Sequence, residues 1–160
     1  MDPINTVDLT AQAPAGSPGA LDADARADAR RNMFSRVAFT RALGVQRAYS
    51  EGGRARLTVE GRPDLENVIH AIHGGVVLTL LDVVMASAAV SLVDFTKTAV
   101  TLNLNSSFLR PGRGSLVADG EVLESLDGVI LCQGEVRDAS GEVVARGIGS
   151  FRYLPLPHTV

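Results

Sequence analysis

Residues 67–93 read NVIHAIHGGVVLTLLDVVMASAAVSLV, and from Gly74 to Val93 this stretch is nearly all apolar, with Asp82 its one charged side chain. That run is about as long as the ~20 residues needed to cross a bilayer. A carboxylate at the bilayer centre is costly, however, and the rest of the chain reads as short strands, with no further helices to bundle in lipid. A helix apolar all round is equally accounted for by enclosure between a sheet and a partner subunit, so no membrane span is expected.

Working outward, the period changes beyond the helix. Val100, Leu102, Leu104 and Phe108 alternate with Thr101, Asn103, Asn105 and Ser107, the two-residue repeat of a half-buried strand. Arg110-Pro111-Gly112-Arg113-Gly114 ends it, and strands over 115–124, 129–137 and 143–153 follow, separated by turn residues, as an antiparallel meander. On the other side, residues 61–73 form a loop, preceded by strands over 45–50 and 54–60 flanking a Glu51-Gly52-Gly53 hairpin turn. The Ala, Arg and Asp content of residues 21–43 predicts a helix ended by Gly44. Residues 1–20, rich in Ala, Pro, Gly and Ser, are expected to form a mobile tail, with a short C-terminal tail over 155–160. The fold class is therefore α+β: one domain over 44–154, a curled antiparallel sheet wrapped around a long central apolar helix. Its open sheet edge invites a second copy, so a homo-oligomer is expected, dimer or tetramer.

Composition narrows the partners. The chain has 160 residues, 46% of them hydrophobic, and 15 basic against 18 acidic residues give a net charge of −3. Lys97 is the sole lysine, so no basic stripe exists to follow a phosphate backbone, and nucleic acid is excluded as a partner. A single cysteine, Cys132, excludes an internal disulfide, and three histidines with it make no zinc-type ligand cluster. No secretory signal pattern opens the sequence, and a reducing, cytoplasmic setting is expected. Cys132 lies mid-strand beside Leu131 and reads as a packed core thiol.

Two features carry chemistry. His73-Gly74-Gly75 opens the helix, gathering unpaired backbone N–H groups and the positive end of the helix dipole at one point, a site for an anion or a developing oxyanion. The same glycines would also serve a tight loop-to-helix junction. Asp82 sits among Leu80, Leu81, Val83 and Val84 without a local charged partner, expensive to bury for structure alone; a water-bridged carboxylate or one satisfying a partner strand is the other reading. Asp82 lies seven residues beyond Gly75, hence roughly 10 Å along the helix. A two-fold dimer with antiparallel helices would bring the helix start of one chain to Asp82 of the other, forming two composite sites.

Asn67, His73-Gly74-Gly75, Asp82 and the strand ending Phe108-Leu109-Arg110-Pro111-Gly112 together resemble the hotdog-fold acyl-CoA thioesterases, in particular the PaaI-like and thioesterase superfamily member 2 group, over about residues 40–154. The resemblance implies a hotdog fold and a dimeric or tetrameric hydrolase splitting acyl-CoA into free acid and coenzyme A. It implies that Asp82 is the catalytic carboxylate, as general base or nucleophile, and that Gly74 supplies the N–H polarising the thioester carbonyl. Asn67 would help hold that carbonyl or the water, Thr101 would orient the water, and His73 would act mainly structurally. Gly75, at the same helix start, and the loop residue His70, which stands where related sequences carry glycine, are substrate-binding candidates. Arg110 and Arg113 are the rim candidates for the coenzyme A phosphates. Because a thiolate leaves readily, base plus oxyanion site suffices, without metal or cofactor. A non-catalytic acyl-CoA-binding hotdog domain is the alternative, and the pattern of a hotdog hydratase cannot be placed on this sequence.

Overall fold

The computed structural model describes residues 32–156. A 3₁₀ turn over Asn32–Arg36 and a short helix, α1 (Ala38–Leu43), lead into β1 (Gln46–Glu51) and β2 (Arg54–Val59). Another 3₁₀ turn, Pro63–Leu65, precedes the long helix α2 (Gly74–Ser91), followed by β3 (Lys97–Phe108), β4 (Leu116–Leu126), β5 (Val129–Arg137) and β6 (Val143–Pro155). The six strands form one antiparallel sheet ordered β1-β2-β4-β5-β6-β3. This is the hotdog arrangement, with α2 as the filling.

Alternation along the strands explains why the sheet curls round α2. Ala55, Leu57, Val59, Leu116, Ala118, Ile130, Cys132, Val136, Ala145 and Phe151 are buried on its inner face, against Val77, Leu80, Leu81, Val84, Met85 and Ala88 of α2. Although α2 is long and apolar enough to span a membrane, at 18 residues with mean hydropathy 1.8, those side chains are consumed by the sheet. Three glycines set the approach. Gly120, Gly134 and Gly147 lie side by side on β4, β5 and β6. A Cβ on Gly120 would stand 2.8 Å from the Val84 carbonyl oxygen, and one on Gly134 3.2 Å from Leu81. The helix thus rests on bare backbone at mid-sheet.

The expected elements appear, with three differences. The helix read over 21–43 is not continuous where described: Val37 is extended (φ −70°, ψ 110°) between the 3₁₀ turn and α1. The guanidinium of Arg47 stacks over Phe34 and Phe95 at 5.2 and 5.1 Å, and Phe34 packs on the core, which holds this segment against the domain rather than along a helix axis. Gly44 does end α1, with φ 74°. The tail read over 1–20, the beginning of that helix and residues 157–160 lie outside the described residues; Pro155, assigned to the C-terminal tail, is the last residue of β6.

The third difference is in β3. Its period-two pattern predicts one apolar face of Val100, Leu102, Leu104 and Phe108, yet Val100 is 38%, Leu102 50% and Phe108 53% exposed. Two causes combine. β3 pairs only with β6 and is an edge of the sheet. A bulge falls between Thr101 and Asn103, so Thr101 pairs with Phe151 and Asn103 with Ser150, leaving Leu102 as the extra residue. The parity of side chains therefore flips at Leu102. Thr101 lies on the same inner face as Leu104 and Phe108 instead of opposite them.

Candidate active site

The loop before α2 is tied down by its own polar groups. The Asn67 Oδ1 accepts from the Ile69 and Ala71 amides at 3.0 and 3.3 Å, and the Asn67 amide donates to the Ala71 carbonyl at 2.8 Å. An asparagine whose side chain mimics a backbone turn suits this position. His70, expected to mark an altered loop, adopts φ 55°, a left-handed conformation that glycine takes more easily. Its carbonyl accepts from Arg113 at 2.8 Å, and its imidazole, largely exposed, lies 3.4 Å from Glu66. The Ile72 amide donates to Gly112 and the His73 amide to Leu65, fixing where the helix begins.

At that start, His73 is the N-cap: its Nδ1 accepts from the Gly75 amide at 2.9 Å, while its carbonyl accepts from Val76 at 2.9 Å. The His73 Nδ1 is thus spent on the helix end, and so is the Gly75 N–H. The Gly74 N–H has no acceptor among the described residues. Of the amides opening α2, one therefore remains available, at the positive end of an 18-residue helix.

Further along α2, half-buried Asp82 faces β3, and its Oδ1 accepts from the Thr101 hydroxyl at 2.6 Å. The bulge at Leu102 makes this contact possible. The other carboxylate oxygen has no partner among the described residues. Gly74 and Asp82 are separated by eight residues of one helix, about 12 Å of axial rise, so a single chain does not bring them together.

A cavity of about 310 Å³ opens beside Gly74, lined by Asn67, Ile69, Val77, Phe108, Leu109 and Arg110 among others. The Phe108 ring lies closest to the helix start, 3.6 Å from where a Cβ on Gly74 would be. The sequence reading placed Phe108 on a strand face and missed it as a site residue; its position just before the Leu109–Gly112 break was the available signal. Arg110 sits 3.3 Å from Glu142 and donates to the Val143 carbonyl, and Arg113 holds His70, so both rim arginines are already engaged.

A larger depression, about 770 Å³, lies on the outer face of the sheet, away from these groups. Its charges pair with one another: Arg56 with Asp119 at 2.7 Å, Arg146 with Glu135 at 2.6 Å. The hydrogen bonds to Asp119, and then its charge, push the Arg56 guanidinium further above its ordinary value. Cys132 lies under the sheet, where burial pushes its thiol up to about 12, too high for a thiolate nucleophile at neutral pH. Among the described residues no group of three His, Cys, Asp or Glu side chains could hold a metal.

Against known proteins, the model of the thioesterase superfamily matches residues 70–145. A protein of Halobacterium salinarum named as an esterase is 35% identical over 123 residues, covering 69% of this chain and 80% of that one. One of Saccharolobus solfataricus, also named as an esterase, is 30% identical over 113 residues, covering 70% and 80%. Among solved structures, the PaaI protein from the phenylacetic acid degradation operon of E. coli superposes with a TM-score of 0.73 at 24% identity, covering 81% of this chain and 94% of that one.

Proposed function

The chain belongs to the thioesterase superfamily, and from that premise we propose that it hydrolyses an acyl-CoA thioester to the free acid and coenzyme A, as a homo-oligomer. The observation that carries this reading is the pairing of an unspent N–H at Gly74 with a carboxylate, Asp82, oriented by Thr101. The thioester oxygen accepts from the Gly74 N–H, where the helix dipole favours the negative charge that builds as the carbonyl is attacked. Asp82 takes a proton from water, whose oxygen bonds to the carbonyl carbon. The C–S bond then breaks, the thiolate leaves, and the proton returns to sulfur. If Asp82 is instead the nucleophile, the first product is an acyl anhydride on its carboxylate, which water opens. Thr101, donating to Oδ1, fixes the carboxylate so that its second oxygen faces the substrate. Asn67, with Oδ1 consumed by the loop, keeps its amide N–H groups for the carbonyl or the water.

The ~12 Å between the two groups makes the dimer part of the chemistry. Two surfaces favour it: β3 offers an unpaired 12-residue edge, and α2 keeps a stripe of Leu78, Val83, Ala86 and Val90 beside Asp82 only partly covered. Closing both against a second copy about a two-fold axis sets the Gly74 of one protomer near the Asp82 of its partner. The coenzyme A phosphates would meet Arg110 and Arg113 at the rim. Arg110 must exchange Glu142 for phosphate, and both side chains are more than half exposed, so the pair opposes the exchange by no more than ~1 kcal/mol. A reducing, cytoplasmic location suits a chain whose one cysteine is unpaired.

The test is thiol release from short-chain, long-chain and aromatic acyl-CoA esters, with Asp82→Asn run alongside. Release that depends on Asp82 is expected. Saturable binding without release would make the protein an acyl-CoA-binding module, and release indifferent to Asp82 would remove the carboxylate from the mechanism.

A further inference from the structure

We propose that the cavity beside Gly74 holds the acyl group of the substrate, and that Phe108 and Ile69, both in its lining, set how long an acyl chain fits. This rests on the thioesterase reading above and specifies the substrate of that same site.

Position comes first. A thioester carbonyl accepting from the Gly74 N–H has two arms, the acyl group and the pantetheine chain, and the cavity beginning at Gly74 can take one of them. The lining decides which. Ile69, Ile72, Val77, Phe108, Leu109 and Val144 present apolar surface. The charged group at the rim, Arg110, is turned to the Glu142 carboxylate and the Val143 carbonyl. Pantetheine carries two amides; the polar side chain in the lining, Asn67, has its Oδ1 committed to the loop and offers only N–H donors, so the pantetheine N–H groups would be buried without acceptor side chains, each costing on the order of 1–3 kcal/mol. An acyl chain needs none, and each buried CH₂ contributes about 0.8 kcal/mol. The pantetheine arm is therefore left to the polar rim near Arg110 and Arg113.

Size comes next. At about 310 Å³ the cavity is at the small end of the ~300–1,000 Å³ usual for small-molecule pockets, room for a short or medium acyl chain. Phe108 is the side chain placed to limit it, because its ring stands against the helix start and closes the cavity from the β3 side. Ile69 adds to the lining from a loop already fixed by Asn67 and Arg113. Both are about half exposed, 53% and 55%, so replacing either leaves the core intact.

The experiment compares kcat/KM for butanoyl-, octanoyl- and dodecanoyl-CoA in the wild type, Phe108→Ala and Ile69→Trp. The readout is the ratio of long to short ester within each protein, which cancels any difference in the folded fraction. Phe108→Ala is expected to raise the dodecanoyl to butanoyl ratio at least tenfold, the scale of a single misfitted methylene in a hydrophobic pocket, and Ile69→Trp to lower it. Release that depends on Asp82 but keeps one chain-length ratio in all three proteins overturns the acyl pocket while leaving the hydrolase reading intact. No release from any ester, or release unaffected by Asp82→Asn, brings down that reading and the pocket with it.

Discussion

The two ends of α2 treat their polar groups in opposite ways. At the C-terminal end the Ser87, Ala88 and Ala89 carbonyls and the Ser91 hydroxyl are committed. The Ser50 hydroxyl donates to the Ser87 carbonyl at 2.8 Å, the Gly53 amide to the Ser91 hydroxyl at 2.9 Å, that hydroxyl to the Ala88 carbonyl at 2.7 Å, and the Tyr153 hydroxyl to the Ala89 carbonyl at 2.6 Å. Ser87 and Ser91 are buried, and these bonds lace the helix to the β1–β2 hairpin and to β6. In the N-terminal half the Gly74 N–H at the helix start is unspent, and Asp82, at mid-helix, keeps one oxygen free. Saturation marks the end that stabilises; unsatisfied capacity marks the end that can bind. Burial of polar residues alone does not separate the two, because Ser91 is more deeply buried than Asp82.

Substitutions at each end sharpen the contrast. The largest effect is expected for Asp82→Asn, which keeps shape and removes the base: turnover should fall by about three orders of magnitude or more, with the melting temperature and oligomer size held. A variant turning over normally would break the comparison outright. Gly74→Pro follows. Proline is favoured at the first helical position and lacks an N–H, and His73 already has the extended backbone (ψ 138°) that a residue before proline prefers. It thus deletes one hydrogen-bond donor without disturbing the helix. Steady-state assays should show a loss of roughly 10²–10³ in kcat, and Gly74→Ala, which retains the N–H and meets only the Phe108 ring at 3.6 Å, should stay far closer to wild type.

Smaller again is Thr101→Val, expected to cost about tenfold in kcat, with Thr101→Ser, which keeps the hydroxyl bonded to Asp82, losing little; a loss in Thr101→Ser with none in Thr101→Val would mean that the methyl group rather than the hydroxyl matters. At the saturated end the sign of the readout changes. Ser91→Ala strands the Gly53 amide, costing about 1–3 kcal/mol, so thermal unfolding should begin several degrees lower while turnover per folded enzyme is unaltered. The least effect at neutral pH is at Cys132. Its folded value of about 12 lies above the ordinary 9.0, so the folded state holds the proton more tightly. Its contribution is complete below pH 9 and is lost as pH rises toward 12. Denaturant titrations over that range should show a shallower decline in Cys132→Ala than in wild type. Burial, and then the charge of a Cys132 thiolate, also raise Tyr153, so the variant removes the thiol together with its effect on that tyrosine.

Much of this was legible in the residues. The apolar run with glycines at its head gives α2, and Gly52-Gly53, both with positive φ (54° and 81°), give the first hairpin as expected from two turn glycines. What escaped was non-local. Nothing in residues 97–108 says that they pair with the last strand rather than with their sequence neighbour β4, and no periodicity reveals a bulge, since a strict alternation and one interrupted at Leu102 use the same letters. That bulge decides whether Thr101 meets Asp82. The resemblance to a family supplied Thr101; the alternation read alone would have turned it away. Arg110 and Arg113 looked free because their partners, Glu142 and the His70 carbonyl, are distant in sequence or lie on the backbone.

The sheet order also dictates a timetable. β3 finds its partner only in β6, the last of the described strands, so its final residue, Phe108, is synthesised 35 residues before Val143. At roughly 5–20 residues per second the nascent chain carries an apolar helix and an unmatched strand for several seconds. Synthesis thus leaves the β3 edge of the sheet open until β6 arrives, and the pairing of these two strands is the contact that closes it.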